Sequence, residues 1–126
     1  MLVDSDVLID FLRGLPEARN FVLNLPREAA ISAITVAELH VGVREGKERA
    51  ALQGMLDSFR ILPLDAEIAQ RGGLWRRDFG RSHGVGLNDA LIAATAAFHA
   101  LSLATLNLKH YPMLQGDQVF VPYLKH

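Results

Sequence analysis

Short apolar runs alternate with longer amphipathic stretches along the whole chain. Leu2 and Val3 form a brief apolar run that stops at Asp4. From Asp6 the spacing becomes helical, with Val7, Leu8, Phe11 and Leu12 on one face and Gly14 as the C-cap. Pro16 suits the first turn of a second helix, whose stripe is Ala18, Phe21, Val22 and Leu25, with Pro26 closing it. Ala29 to Ser32 read as a buried strand, and Ser32 or Thr35 caps a helix carrying Ile34, Ala37, Leu39 and Val41. Past the charged turn around Gly46, Leu52, Met55, Leu56 and Phe59 make another amphipathic face. Arg60 to Leu62 predict a strand, and Asp65 caps a helix bearing Ile68, Trp75 and Phe79. The stretch Gly80 to Gly86, GRSHGVG, predicts a loop, and LNDALIAATAAFHA a helix apolar on nearly every side. SLAT and QVFV predict the last strands.

Strands that alternate with helices imply a mostly parallel central sheet covered on both faces, a three-layer α/β/α sandwich with four to five short strands. No internal repeat, low-complexity tract or linker divides the chain, so residues 1–126 read as one domain.

On this plan the polar exceptions fall together. In a βαβ unit a strand ends, and the next helix begins, at one edge of the sheet. Ligands bind outside that edge where the strand order reverses. Asp4 ends the first strand, Glu38 lies early in the helix after the second, Asp89 is in the first turn of the apolar helix, and Asn107 follows SLAT. Glu38 also interrupts the apolar stripe of Ile34 and Val41, with only Arg44 and Lys47 nearby, on other faces or beyond the helix. Converging carboxylates without a basic partner repel one another and raise their pKa values. A divalent cation removes that repulsion, and an all-oxygen donor set suits Mg²⁺ or Mn²⁺.

Each acid also has a local structural role open to it. Asp4 can cap the first helix. Asp6 is read as that cap and as a support for Asp4, and Asp10 as solvated surface. Thr35 to Glu38 match the capping box T-x-x-E, and Asp89 complements a helix dipole.

Composition narrows the partners. The chain has 126 residues, half of them hydrophobic, with a formal net charge of −1, so bulk charge does not attract nucleic acid and a local basic patch would have to. There is no cysteine, hence no disulfide framework or thiolate metal site. No signal-like or membrane-spanning apolar run occurs, and a cytoplasmic location is expected.

LVDSDVLID, ISAITVAELHVGV and LNDALIAATAAFHALSLATLNLKHY together resemble the PIN-domain ribonucleases, specifically the VapC-type toxins of toxin–antitoxin pairs, over essentially the whole chain. The resemblance implies that Asp4, Glu38 and Asp89 bind metal and that RNA is cut endonucleolytically. Asn107 occupies the position of the family's fourth acid and is a weaker ligand, so one ion is expected at rest and a second with RNA. Leu106 stands where relatives are often basic. The resemblance further implies a homodimer and a VapB-type antitoxin whose tail enters the active-site groove.

The chemistry it implies is metal-activated water attacking a phosphodiester in line. Ser5, Asp6 and Thr105 are candidates to support the acids or touch substrate. Arg76, Arg77, Arg81 and Lys109 are candidates for the RNA backbone, with an ordinary solvated helix face as the alternative for the first two. His40, His83, His99 and His110 are scattered; His83 and His110 sit in or beside edge loops. Two other readings stand behind this one. DSDVL resembles the opening of haloacid-dehalogenase-type phosphatases, with Asp4 as nucleophile, but no later Asp-Asp pair occurs. A non-catalytic binding module could use the amphipathic segments 16–25 and 47–59.

Overall fold

The computed structural model describes residues 1–125; His126 lies outside them. Five strands, β1 (Leu2–Val3), β2 (Ala30–Ser32), β3 (Arg60–Leu62), β4 (Leu103–Ala104) and β5 (Val119–Phe120), form one sheet in the order β3-β2-β1-β4-β5, and every pairing is parallel. Between them run α1 (Ser5–Leu12), α2 (Pro16–Leu23), α3 (Ala33–Val41), α4 (Lys47–Leu56), α5 (Ala66–His83) and α6 (Leu87–Phe98). Two 3-10 turns, Leu108–His110 and Gly116–Gln118, link β4 to β5.

The chain moves outward from β1 to β3 and then returns to place β4 beside β1. Right-handed crossovers put the helices before and after that reversal on opposite faces. The strand side chains alternate accordingly. Leu2, Ala30, Leu62 and Leu103 pack with Ile92, Ala93 and Ala96 of α6. Val3 and Ile31 pack with Val7, Leu8, Leu39, Leu52 and Leu56 from α1, α3 and α4. This is the three-layer arrangement expected from the sequence, with a wholly parallel sheet.

Helix α6 is buried continuously from Ala90 to Ala96, as its nearly all-round apolar pattern predicts. Its small residues let α5 come close. A Cβ on Gly72 would stand 3.1 Å from the Leu91 Cα, so glycine is needed at that crossing. Among the described residues no helix is long and apolar enough to cross a membrane.

Three expectations need correction. Helix α1 starts at Ser5, not Asp6, and Asp4 is its N-cap, accepting from the Ser5 N–H at 2.7 Å. Asp6 lies in the first turn and is not the cap. The loop predicted at Gly80–Gly86 begins only at Gly84, because α5 continues to His83. Phe79 and His83, one turn apart, stack edge-to-face at 5.7 Å, and Gly84 ends the helix at φ +65°. Those contacts outweigh the poor helix propensity of Gly80. Asp10 is buried, not solvated, at 5% exposure. Its carboxylate accepts from the Tyr123 hydroxyl at 3.0 Å and pairs with Lys125 at 3.1 Å.

Candidate active site

The reversal between β1 and β4 makes the site. Asp4 follows β1 and Thr105 follows β4, and the Asp4 N–H donates to the Ala104 carbonyl at 2.9 Å. Both side chains therefore emerge at the carboxyl edge of the sheet. From β2 the chain enters α3 through Ser32, whose hydroxyl accepts from the Ile34 N–H at 3.0 Å. That cap displaces the predicted alternative: Thr35 lies inside the helix, so the T-x-x-E capping box does not form and Glu38 is free of a capping role. Asp89 enters from the third residue of α6. Asp4, Glu38 and Asp89 are thus delivered from three elements to one edge.

Asp4 is 5% exposed and heavily hydrogen-bonded. Its Oδ1 accepts from the Ser5 N–H, and its Oδ2 accepts from the Thr105 hydroxyl at 2.8 Å and the Tyr111 hydroxyl at 2.7 Å. Asp6 approaches from α1 and ties down the segment after β4. Its Oδ2 accepts from the Leu106 N–H at 3.0 Å and lies 3.3 Å from the Thr105 hydroxyl, while its Oδ1 is buried without a partner. Thr105 in turn accepts from the Asn107 N–H at 3.2 Å. The Asp89 carboxylate faces His110, whose Nδ1 is 3.1 Å from Asp89 Oδ2, and the Asn107 amide nitrogen is 3.3 Å from the same ring. Asn107 therefore reaches Asp89 through the histidine.

The electrostatics follow from this crowding. Burial, then the charge of Asp4, pushes Asp6 up to about 6, with the Leu106 and Val7 N–H groups and Thr105 pulling the other way. Burial, then Asp4, raises Glu38; Asp89 adds to it, while the nearby Ser5 and Asn88 side chains oppose it. Asp89 is raised by burial and by Asp4, against His110 and Tyr111. Tyr111 is raised well above its ordinary value, first by burial and then by Asp4 and Asp89, so its phenol remains a donor.

Among the described residues no lysine or arginine pairs with Asp4, Asp6, Glu38 or Asp89, and the one basic group beside them is His110 against Asp89. Arg44 lines the same groove as Glu38 but is paired with Glu48 at 2.7 Å. Glu38 Oε1 is buried with no hydrogen-bond partner. An all-oxygen set in which burial and the charge of Asp4 raise both Glu38 and Asp89, and in which Glu38 keeps an orphaned buried oxygen, matches in kind what a hard divalent cation requires. Among the described residues no three acids or histidines converge closely enough to enclose an ion as the side chains stand. The side chains would have to draw inward around it.

Arg76, Arg77, Arg81 and Lys109 are all exposed. The first three lie in the half of α5 that leads into the start of α6. Arg77 pairs with Asp78 at 2.9 Å, and Arg76 folds over Gly80. None of the hydrogen bonds at the acids comes from these four. Sequence reasoning missed Tyr111, Asn88 and the pairing of His110 with Asp89. For Tyr111 the available signal was a hydroxyl-tipped aromatic just past T-x-N. Asp6 is occupied with the backbone of Leu106, which leaves the phosphatase reading without its second acid.

A groove of about 510 Å³ runs from Glu38 between α1, α3 and α4, lined by Ile9, Leu12, Arg13, Leu39, Val43 and Leu52.

The PIN domain family model matches residues 1–111 of the chain. Ribonuclease VapC10 of Mycobacterium tuberculosis is 46% identical over 118 residues, covering 91% of this chain and 88% of that protein. Ribonuclease VapC19 of the same organism is 37% identical over 121 residues, covering 93% of this chain and 96% of that protein. Among solved structures, a chain of a toxin–antitoxin complex from Klebsiella pneumoniae superposes with a TM-score of 0.81 at 33% identity, over 97% of each chain.

Proposed function

Because the chain belongs to the PIN-domain family and is of the VapC type, we propose that it is a metal-dependent endoribonuclease acting as the toxin of a toxin–antitoxin pair. The observation that carries the reading is the gathering of Asp4, Glu38 and Asp89 at one sheet edge, with a buried Glu38 oxygen lacking any partner. Asp4, Glu38 and Asp89 would hold Mg²⁺ or Mn²⁺, with the Asn107 carbonyl as a weaker fourth donor. When bound, such an ion lowers the pKa of a water and offsets charge on the phosphate.

The chain's own residues do the rest. Thr105 and Ser5 fix the Asp4 carboxylate, and Asp6 holds the Leu106 backbone so that the segment carrying Asn107 keeps its place. Arg76, Arg77, Arg81 and Lys109 hold the RNA backbone, a role that falls with rising salt. The reading brings with it a VapB-type antitoxin and a homodimer; the Klebsiella pneumoniae relative is a toxin–antitoxin complex.

The test is incubation of purified protein, free of antitoxin, with pooled RNA in Mg²⁺, in Mn²⁺ and in EDTA, alongside Asp4→Asn and Asp89→Asn. Discrete fragments that need metal and vanish in both variants support the proposal. A folded wild type that cuts nothing under any of these conditions refutes the ribonuclease reading for the RNAs in the pool. Cutting that persists in EDTA refutes the metal.

A further inference from the structure

Tyr111 is 2% exposed and its hydroxyl reaches both acids at the strand reversal: 2.7 Å to Asp4 Oδ2 and 3.5 Å to Asp89 Oδ1. Asp4 Oδ2 also accepts from the Thr105 hydroxyl at 2.8 Å. A carboxylate oxygen has about two acceptor positions, so Tyr111 and Thr105 together fill those of Oδ2. On Oδ1 the Ser5 N–H takes one at 2.7 Å, and the Ser5 hydroxyl is only at 3.4 Å. The acceptor position left on Asp4 is therefore on Oδ1, and the phenol is one of the two groups that decide it. A phenol does this without adding a positive charge that would compete with a cation.

We propose that Tyr111 is a positioning residue for the carboxylate site: donating its one proton to Asp4 while standing beside Asp89, it fixes which Asp4 oxygen is offered to a divalent cation. The proposal rests on the metal-dependent reading above. Ordinary structural support can be told apart from this role, because the same chemistry occurs elsewhere in the molecule on a carboxylate that is not one of the proposed metal ligands. Tyr123 donates to Asp10 Oδ2 at 3.0 Å, and Asp10 is as deeply buried as Asp4. Tyr123→Phe therefore measures what losing a phenol–carboxylate bond costs the fold alone.

The experiment is calorimetric titration of Mn²⁺ into wild type, Tyr111→Phe and Tyr123→Phe, each checked for a cooperative thermal transition. Residues that orient a metal ligand typically contribute tenfold or more to affinity, so Tyr111→Phe is expected to bind Mn²⁺ about tenfold more weakly while Tyr123→Phe stays within about twofold of wild type. Binding by Tyr111→Phe that equals or exceeds wild type overturns the proposal. So does an equal loss in Tyr123→Phe, which would mark the effect as general loosening. A wild type that binds no Mn²⁺ overturns it differently, by removing the metal reading itself.

Discussion

Asp6→Asn is expected to stabilise the metal-free protein at neutral pH and to leave it unchanged in acid. Burial and the neighbouring Asp4 push the Asp6 pKa from the ordinary 3.8 to about 6. The folded protein thus binds a proton more tightly there than the unfolded chain. Stability contributed at this position is highest in acid and is lost as pH rises through the window between those values. Each pKa unit is worth about 1.4 kcal/mol, so the ionised carboxylate costs about 3 kcal/mol above pH ~6. Asparagine removes that cost and keeps an oxygen for the Leu106 N–H, although a neutral acceptor holds it less strongly. Its amide nitrogen replaces Asp6 Oδ1, which already lacks a partner, so one unpaired buried group succeeds another. The net gain is about 1–3 kcal/mol at pH ~7.5, shrinking to nearly nothing at pH ~4. Urea unfolding of both proteins in EDTA across that range measures it, and the difference isolates Asp6 because Glu38 and Asp89 titrate in both. A difference that does not vary with pH, or that grows in acid, would show that burial does not dominate at Asp6.

Other consequences are separable from this one. Gly72→Ala, although alanine favours helices, is expected to lose about 1–3 kcal/mol because its Cβ would press on the Leu91 backbone at 3.1 Å; a higher melting temperature would contradict the close crossing of α5 and α6. Asp10→Ala leaves Tyr123 and Lys125 without their partner and is expected to cost about 1–3 kcal/mol by denaturant unfolding, where an unchanged midpoint would mean that the carboxyl-terminal strap adds nothing to stability. Adding Mn²⁺ at about a hundred times its dissociation constant at pH ~7.5 is expected to stabilise the wild type by about 2.7 kcal/mol, and the same concentration to do so less at pH ~5, because protons compete with the ion for Glu38 and Asp89, both raised by burial and by Asp4. Equal stabilisation at both pH values would place the ion elsewhere.

The order of the elements and the faces they bury were legible in the sequence. The alternation of short apolar runs with amphipathic stretches predicts the parallel sheet, and the same pattern puts Asp4 at a strand end and Asp89 at a helix start; Glu38, expected early in its helix, lies farther in, as the sixth residue of α3, because the helix already begins at Ala33 behind the Ser32 cap. What escaped it depends on distant parts of the chain. Asp10 looks like surface until Tyr123 and Lys125 come back across α1 to meet it. Asp6 looks like a helix cap until the Leu106 N–H claims its carboxylate. The Tyr111 hydroxyl has no visible purpose until β4 lies beside β1 and brings it to Asp4. The extension of α5 failed for a different reason: glycine and serine at 80–84 carry the composition of a loop, and the Phe79–His83 stack that holds the last turn is a side-chain effect.

Glu38→Gln gives the most direct test of the central claim, because it keeps the size of the side chain and removes only the charge from the oxygen that lacks a partner. Cleavage of the RNA target in Mn²⁺, followed for wild type and this variant at matched folded concentration, is expected to slow by at least the roughly 100-fold that disturbing a metal site can cost. Cleavage by Glu38→Gln at the wild-type rate would contradict a cation held by Asp4, Glu38 and Asp89.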